Sequence, residues 1–498
     1  MAEELADESR EQRGRAAREI TSRAENYSQW YNDVVLKAEL ADYAPVRGCM
    51  VIRPNGFAIW EKLQAEFDRR IKATGVGGRK HRNAYFPLFI PESYLAREAK
   101  HVEGFSPECA VVTHGGGKEL EEKLYVRPTS ETIMYEMYSK WISSYRDLPL
   151  LINQWCNIVR WELRTRLFLR TLEFLWQEGH TAHATHEEAR EEALMILNDV
   201  YARTVEEVMA IPVLRGRKTP SQRFPGAIET YCIEALMQDG RALQMGTSHD
   251  LGQNFARAFN VRFQDRDGEV RHVWQTSWGV STRLIGALVM AHSDDIGLVV
   301  PPRLAPVEVV IVPIYKSAQE KHAVVDAADR LEKALSEAGI SVELDLRDEF
   351  KPGYKFYDWE MRGTPLRIEI GPRDVQAQSV VFARRDSGAK SHSPIAEAPD
   401  RTGKLLEDIQ KGLFSRAKDF LDKNTRRVRE YGEFKKAVDE TGGFVWAPWC
   451  GDPACEERVK EDTRATIRLV PLDAAAADGA CLACSKPASM LVPFARAY

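Results

Sequence analysis

No stretch of this sequence is apolar enough to cross a bilayer. The most hydrophobic region, near Ile296–Tyr315, is cut by Pro301, Pro302, Pro306 and Pro313 and carries Arg303 and Glu308. It cannot supply the roughly 20 apolar residues of a spanning helix. No export signal is expected either, because Met1–Glu19 is almost continuous charge and alanine and a signal peptide needs an apolar core. Cysteine is scarce, 8 in 498 residues. That excludes a disulfide framework and makes a reducing cytoplasm the expected compartment. Charge of one sign is also lacking: 69 Lys and Arg face 74 Asp and Glu, a formal net charge of −5. Such a balance argues against a general nucleic-acid coat but leaves room for a local basic surface. There is no Walker-type phosphate loop, no G-x-G-x-x-G and no internal repeat.

What is present is an ordinary globular balance, 44% hydrophobic and 29% charged, in a chain long enough for about three domains. The first 18 or so residues read as a solvated tail. From Tyr27 to about Val300 the chain is rich in Trp and Arg with mixed helix and strand patterns, and Pro301-Pro302 then marks a boundary. Beyond it, strand signals (Val307–Pro313, Ile340–Leu344, Leu366–Ile370, Ser379–Ala383) alternate with an amphipathic helix, Ala318–Ala338, stopped by Gly339. This pattern predicts a compact α/β domain. The polar segment Asp386–Arg401 reads as a linker, and Leu405–Tyr431 as a basic amphipathic helix whose charged face is expected to be solvated.

Half of the cysteines fall in the tail Gly443–Tyr498. Cys450 and Cys455 form C-x4-C, and Cys481 and Cys484 form C-x2-C, each pair flanked by turn residues such as Gly451, Pro453, Ser485 and Pro487. Two close pairs across a loop can set four thiolates tetrahedrally around one zinc ion, and an all-cysteine closed site is structural, since a catalytic zinc keeps an open position. The ordinary alternative is incidental cysteines. Cys49, Cys109, Cys156 and Cys232 have no ligand spacing and read as small core residues.

The densest stretch is Leu124–Thr185. Val126-Arg-Pro-Thr-Ser-Glu-Thr132, Gln154–Glu162 and Phe168–His180 interleave arginines with buried-type aromatics. On a strand, Arg160 and Glu162 share one face. Arg164-Thr-Arg166 reads as a loop, so a hairpin carrying Arg160 and Arg170 toward one cleft is expected. Guanidinium groups there would bind phosphate bidentately. Taken singly, each arginine could equally be solvated or paired with a local glutamate. Leu243–His249 and Thr276–Arg283 add small, polar, glycine-containing segments.

These segments resemble a known family. Ala84-Tyr-Phe-Pro87, after the helix candidate Gly56–Ala73, is similar to motif 1 of the class II aminoacyl-tRNA synthetases. Val159-Arg-Trp-Glu162 through Gln177-Glu178 is similar to motif 2, and Gly279-Val-Ser-Thr-Arg283 through Pro302 to motif 3. Val126–Glu131 and Gly246-Thr-Ser-His249 resemble the proline-binding segments of the prolyl-tRNA synthetases of archaeal and eukaryotic type. The resemblance runs from about Tyr27 to Tyr498. It implies an α/β (α+β) molecule in four parts: a charged tail (1–25), a class II antiparallel-sheet catalytic domain (26–302), an α/β anticodon-binding domain (303–403) and a small zinc-binding α/β domain (404–498).

The resemblance further implies a proline–tRNA ligase with ATP, L-proline and tRNA(Pro) as partners, Mg2+ accompanying ATP, a structural Zn2+ and a homodimer formed through motif 1. Arg160 and Arg283 carry the catalytic role. Thr129, Glu131, Arg160, Trp176, Phe224 and His249 make the proline site. Arg160, Glu162, Arg170, Thr171, Phe174, Gln244, Thr247, Ser281 and Arg283 make the ATP site, with Phe174 and Arg283 sandwiching the adenine. Glu360 and Arg373 match positions that read the anticodon, and Cys450, Cys455, Cys481 and Cys484 hold the metal.

Bacterial-type relatives carry an editing insertion between motifs 2 and 3. Here only a short helical stretch is expected between Thr185 and Gln244, with no cis-editing domain. The motif 2 loop, Arg164-Thr-Arg-Leu167, departs from the proline-bearing loop of relatives. The ending Ala497-Tyr498 resembles relatives whose terminus folds back on the catalytic domain. Three other readings compete. One is a paralogue that activates an amino acid without charging tRNA. Another is a non-catalytic tRNA-binding or regulatory module on the same fold. The third is a zinc-dependent nucleic-acid-binding factor.

Overall fold

The computed structural model describes residues 20–101, 108–474, 477 and 479–498. The sequence-derived tail therefore lies, for residues 1–19, outside the described residues. Its last residues already belong to the fold: the Ser22 hydroxyl caps helix α1 (Arg23–Lys37) by accepting the Glu25 N–H, as N-cap serines do. Trp30, Tyr31, Val34 and Val35 are the buried face of α1. Helix α2 (Pro54–Ala73) starts on a proline, whose missing N–H is not needed in a first turn, and buries Ile59, Trp60, Leu63, Phe67 and Ile71 at helical spacing.

The central element is an eight-stranded sheet. Seven strands are β1 (Arg82–Asn83), β2 (Leu150–Val159), β3 (Glu173–His183), β4 (Leu214–Arg217), β5 (Glu229–Leu236), β6 (Ala242–Gly252) and β7 (Trp274–Ser281). They run in the order β4-β5-β6-β7-β3-β2-β1, antiparallel except where β1 joins β2. Helix α3 (Glu131–Trp141) precedes β2, α4 (His186–Met195) follows β3, and α5 (Arg283–His292) follows β7. α1, α2 and α5 share one large core with Ile196–Ala202, the π-helical continuation of α4, beneath the sheet.

A second, five-stranded sheet holds β8 (Val309–Pro313), β9 (Val342–Leu344), β10 (Leu366–Ile370), β11 (Ser379–Arg384) and β12 (Lys390–Pro394) in the order β9-β8-β10-β11-β12. β8 is parallel to β9 and β10, and the remaining pairs are antiparallel. α6 (Ala318–Glu337) and α7 (Pro352–Met361) connect its strands. β8 and β10 are buried along their whole length; β8 reads as a continuous apolar run for that reason, whereas β10 buries Arg367 and Glu369 as a mutual ion pair.

The segment Asp386–Arg401 is not a plain linker, since it contains β12 and the start of α8 (Ala398–Lys423). β12 is an edge strand with a largely exposed face, so it carries no apolar alternation to betray it. α8 begins earlier and ends earlier than its sequence pattern suggests. Pro399 is accommodated in its first turn, and Leu405, Leu406, Ile409 and Leu413 bury in the core of the second sheet. A boundary at residue 403 therefore cuts a helix that belongs mostly to the unit before it.

The last unit is a four-stranded sheet of β13 (Thr425–Arg427), β14 (Phe444–Trp449), β15 (Thr466–Ile467) and, near the C-terminus, Met490–Ala495. Helices α9 (Tyr431–Glu440) and α10 (Pro453–Thr463) pack on it. Its strand β16 (Val470–Pro471) leaves this sheet and becomes the eighth strand of the central one, beside β4. The stretch between Thr185 and Gln244 proves richer than a short helix: it includes β4 and β5, two inner strands of the central sheet.

Candidate active site and metal centre

Alternation along β3 builds the site. Phe174, Trp176, Glu178 and His180 all face one cavity of about 290 Å³, as side chains two residues apart on a strand must. β6 adds Gln244, Thr247 and His249, and β7 adds Ser277, Gly279 and Ser281. Thr129 and Glu131 arrive at the N-terminus of α3, Arg160 just beyond the end of β2, and Arg283 at the start of α5. All six residues expected to hold an amino acid line this cavity, as do Phe174, Gln244, Thr247, Ser281 and Arg283 of the nucleotide set.

Three expected nucleotide contacts stand elsewhere. β2 ends at Val159, so Arg160 and Glu162 do not share a strand face as expected. Residues 160–172 form the turn of the β2-β3 hairpin, with Arg166 and Arg170 bridging inside it. Glu162 and Arg170 face each other across 3.9 Å, both partly exposed. Thr171 is buried, and its hydroxyl donates to the Glu173 carbonyl at 2.7 Å.

The cavity has two electrostatic ends. At one, the Thr129 hydroxyl donates to Glu131, and Glu178 accepts from Ser130 at 2.5 Å, Gln154 at 2.8 Å and His180 at 3.0 Å. Burial pushes the Glu178 carboxyl up, yet these donors and the His180 charge outweigh it and hold it below the usual range. His249 is different. Burial, with the neighbouring His180, lowers its pKa to about 3, so it is a neutral ring. It stacks on Phe224 at 4.5 Å and bonds Thr230 Oγ1 at 3.0 Å.

At the other end stand the arginines. Arg160 lies 5.3 Å from the Trp176 ring centroid and 5.6 Å from that of Phe174, and its Nε donates to the Pro128 carbonyl at 3.0 Å. Burial, then Arg170, then Arg160 lower the Arg283 pKa; a guanidinium keeps its charge nonetheless. Ser277 Oγ is buried with no partner among the described residues, a donor left for a ligand.

Sequence reasoning missed Glu178, His180, Lys218, Gln222, Thr230, Ser277 and Trp278, which also line the cavity. Simple continuation of the alternation from Phe174 and Trp176 would have found the first two. The C-terminus does fold back: Tyr498 N donates to the Ala242 carbonyl at 3.2 Å and its hydroxyl to Asp239 at 2.6 Å. Its ring also lies 5.6 Å from the Arg166 guanidinium of the hairpin turn. Glu360 is mostly buried and accepts from Arg367 at 2.9 Å, whereas Arg373 is exposed at the start of a short helix, Pro372–Gln376.

The four tail cysteines converge. Their sulfurs all lie within 4.8 Å of one another, and Cys450 is 3.7 Å from both Cys455 and Cys484. Four sulfurs at about 2.3 Å from a central zinc ion define a tetrahedron with edges of about 3.8 Å, so the donor set fits that ion. A backbone N–H bond from Lys486 helps lower Cys484 to about 7, while burial raises Cys450 and Cys455, so Cys484 is the sulfur readiest to ionise.

The antiparallel sheet with its arginine-lined cavity is the core of a class II aminoacyl-tRNA synthetase. The family model "tRNA synthetase class II core domain (G, H, P, S and T)" matches residues 112–292, and "Anticodon binding domain" matches residues 308–405. The particular family follows from the tail and from full-length relatives. "Prolyl-tRNA synthetase, C-terminal" matches residues 431–498. A "Proline--tRNA ligase" of Chloroherpeton thalassium is 58% identical over 490 residues, 97% of this chain and 100% of that protein. Those of Chlorobium chlorochromatii and Prosthecochloris aestuarii are 58% and 56% identical over the same shares. The chain belongs to the prolyl-tRNA synthetase family.

Proposed function

We propose that this chain activates L-proline with ATP and transfers it to tRNA(Pro). The observation that carries the reading is one cavity with an anionic, aromatic end (Glu131, Glu178, Trp176, Phe224) and a cationic end (Arg160, Arg283). In the first step a proline carboxylate oxygen attacks the α-phosphorus of ATP and the bond to pyrophosphate breaks. In the second, a terminal ribose hydroxyl of the tRNA attacks the acyl carbon and AMP leaves.

Glu131 and Thr129 would hold the secondary ammonium. Trp176 and Phe224 would wall the ring, with neutral His249 closing the pocket. Arg160, at the cationic end but within the field of Glu131 and Glu178, would contact both the carboxylate and the α-phosphate, where fixed cations are worth most. Phe174 and Arg283 would sandwich the adenine, with Gln244, Thr247 and Ser281 as further contacts. Arg170, Glu162 and Thr171 belong to the hairpin turn and would reach the nucleotide from its mouth. Magnesium would enter with ATP, held chiefly by phosphate oxygens, and add to the charge neutralisation.

The anticodon reading rests on Arg373, which is exposed, and on Glu360, which is paired with Arg367 and would meet RNA with that pair in place. A structural zinc on Cys450, Cys455, Cys481 and Cys484 is supported by the sulfur spacing. A homodimer is supported by apolar surface around motif 1, where Tyr85 is 71% and Phe89 44% exposed. The archaeal and eukaryotic type is supported by the C-terminal unit, although the three relatives named above are bacterial. Cytoplasmic residence accords with the scarcity of cysteine, 8 in 498 residues; among the described residues no helix is long and apolar enough to cross a membrane. The units of the proposal are a catalytic one to about residue 302, an anticodon one through α8, and a zinc-bearing one from β13 onward.

Pyrophosphate exchange without tRNA, run across the amino acids, tests the reading. Exchange dependent on proline supports it. Exchange with another amino acid removes the pocket assignment, and none at all from folded, metal-loaded protein favours the non-catalytic module.

A further inference from the structure

Gln222 and Phe224 stand on the cavity wall, yet the segment that carries them, from Lys218 to Phe224, has little structure of its own beyond one 3-10 turn at Pro220–Gln222. What holds it comes from the far end of the sequence. Glu456, on α10 of the last unit, is 3% exposed. Its Oε1 accepts from Thr219 Oγ1 and Gln222 Nε2, each at 2.9 Å, and its Oε2 from Ser221 Oγ at 2.7 Å. Among the described residues these are its side-chain hydrogen bonds, so this buried carboxylate serves the pocket segment and not its own unit.

A second contact lies beside it. Lys218 Nζ donates to Glu234 at 2.7 Å and to the Arg468 carbonyl at 2.9 Å, and Arg468 closes the group on Glu234 at 2.9 Å. Strand β16 then continues the last unit into the central sheet, opposite Gly216. A Cβ at Gly216 would come within 2.4 Å of the Val470 carbonyl oxygen, so this close seam requires glycine.

We propose that Glu456 is a positioning residue for the amino-acid pocket. From the C-terminal unit it fixes the Thr219–Gln222 turn and so sets where Gln222 and Phe224 stand against the bound ring. The proposal rests on the proline reading of the cavity. It has a consequence for selectivity. A pocket that recognises a small apolar ring separates it from alanine by wall contact alone, and one methylene there is worth only about 10–200-fold. A wall that shifts loses that margin.

The test compares Glu456→Ala, Glu456→Gln, Ser221→Ala and the Glu456→Ala/Ser221→Ala double variant in pyrophosphate exchange by the full-length protein. The Km for proline and ATP, the proline-over-alanine ratio, the melting temperature and the bound metal are read for each. Glu456→Ala is expected to raise the Km for proline about tenfold, as loss of hydrogen bonds to a charged group does. It should lower the proline-over-alanine ratio, with the Km for ATP and the metal content unchanged. Glu456→Gln should restore both, because its amide oxygen can accept from Thr219 and Gln222 while its NH2 meets Ser221. Ser221→Ala should raise the proline Km less, and add nothing on top of Glu456→Ala.

An unchanged proline Km in Glu456→Ala overturns the proposal. So does a parallel loss of both Km values, kcat and melting temperature that Glu456→Gln fails to rescue. If Glu456→Ala does not fold, Ser221→Ala decides, and an unchanged proline Km there overturns it. Failure of the proline reading is distinct, since the unmodified protein would then show no proline-dependent exchange.

Discussion

Glu178 Oε2 lies 3.0 Å from His180 Nε2, and both side chains are buried in the lining of the cavity. Burial works against a charge on either. For His180, the hydrogen bond to Glu178 and the charges of Glu131 and Glu178 outweigh burial and raise its pKa above 6.5. With both members ionised the pair carries no net charge, which leaves Glu131 as the carboxylate facing the amine end of the pocket.

Its linkage is definite. A raised histidine pKa contributes stability that is full below 6.5 and lost as pH rises through the folded value. A depressed glutamate contributes stability that is full above 4.5 and lost as pH falls. Glu178→Gln removes one partner of a buried pair and should cost about 3 kcal/mol near pH 6. Urea unfolding at pH 6 and at pH 8.5 checks this: the gap between variant and unmodified protein should narrow at the higher pH. A gap independent of pH would show that the ring and the carboxyl are not ionically coupled.

Arg160 stands at the cationic end of the cavity, within the field of Glu131 and Glu178. Its guanidinium is planar and braced by Trp176, Phe174 and the Pro128 carbonyl, features a lysine cannot reproduce. Arg160→Lys should lower the rate of proline-dependent pyrophosphate exchange about 100-fold or more, with the melting temperature nearly unchanged. A loss of less than threefold would remove Arg160 from the chemistry.

Much of this site is legible in the amino-acid sequence. Phe174, Trp176, Gln244, Thr247, His249, Ser281 and Arg283 lie on or at the ends of strands whose sequences are distinctive; strand periodicity fixes which way Phe174, Trp176, Thr247, His249 and Ser281 face, whereas Gln244 reaches the same side only through the bulge between Gln244 and Gly246. Glu178 and His180 obey the same period and are readable in principle. Lys218 and Gln222 are not, because their segment has no periodic signal and is held in place by Glu456 and Arg468, more than two hundred residues away. The misjudged face of Arg160 and Glu162 has a local cause: nothing in Val159-Arg-Trp-Glu162 announces that the strand stops at Val159. Edge strand β12 hides for a related reason, since exposure lets its sequence be polar.

Gly179 tests how tightly the central sheet is packed. A Cβ at this position would come 2.1 Å from the Trp278 ring, which is itself buried. The indole cannot swing aside in a close-packed interior. Gly179→Ala should therefore destabilise the protein by about 1–3 kcal/mol, read as a lower urea midpoint. Pairing it with Trp278→Leu, which opens space, should recover part of the loss; no recovery would place the strain elsewhere.

The metal centre predicts a stoichiometry. Four converging sulfurs at tetrahedral spacing should bind one zinc per chain, measured by native mass spectrometry. Cys484→Ser should lower occupancy and the stability of the C-terminal unit, because binding energy at such a site is folding energy. Full zinc retention in both Cys484→Ser and Cys450→Ser would refute a four-cysteine site.

His292 gives the sharpest pH prediction. It is fully buried, its Nε2 donates to the Met209 carbonyl at 2.8 Å, and its Nδ1 has no partner among the described residues. Burial lowers its pKa from 6.5 to about 4; the bond to Met209 works the other way, and the nearby Arg416 adds to the lowering. The unfolded chain therefore binds a proton below 6.5 that the folded protein refuses until about pH 4. This residue's contribution is nil above pH 6.5 and turns against folding as pH falls, at a limiting slope of about 1.4 kcal/mol per pH unit. His292→Gln keeps a donor for Met209 and has no such titration. Plotted against pH, its unfolding free energy should lack that one-proton slope between 6.5 and 4, while His249, unchanged in both proteins, cancels in the comparison. Identical slopes for the two proteins would mean that His292 takes up its proton in the folded state as readily as in the unfolded one, and that water reaches its free nitrogen.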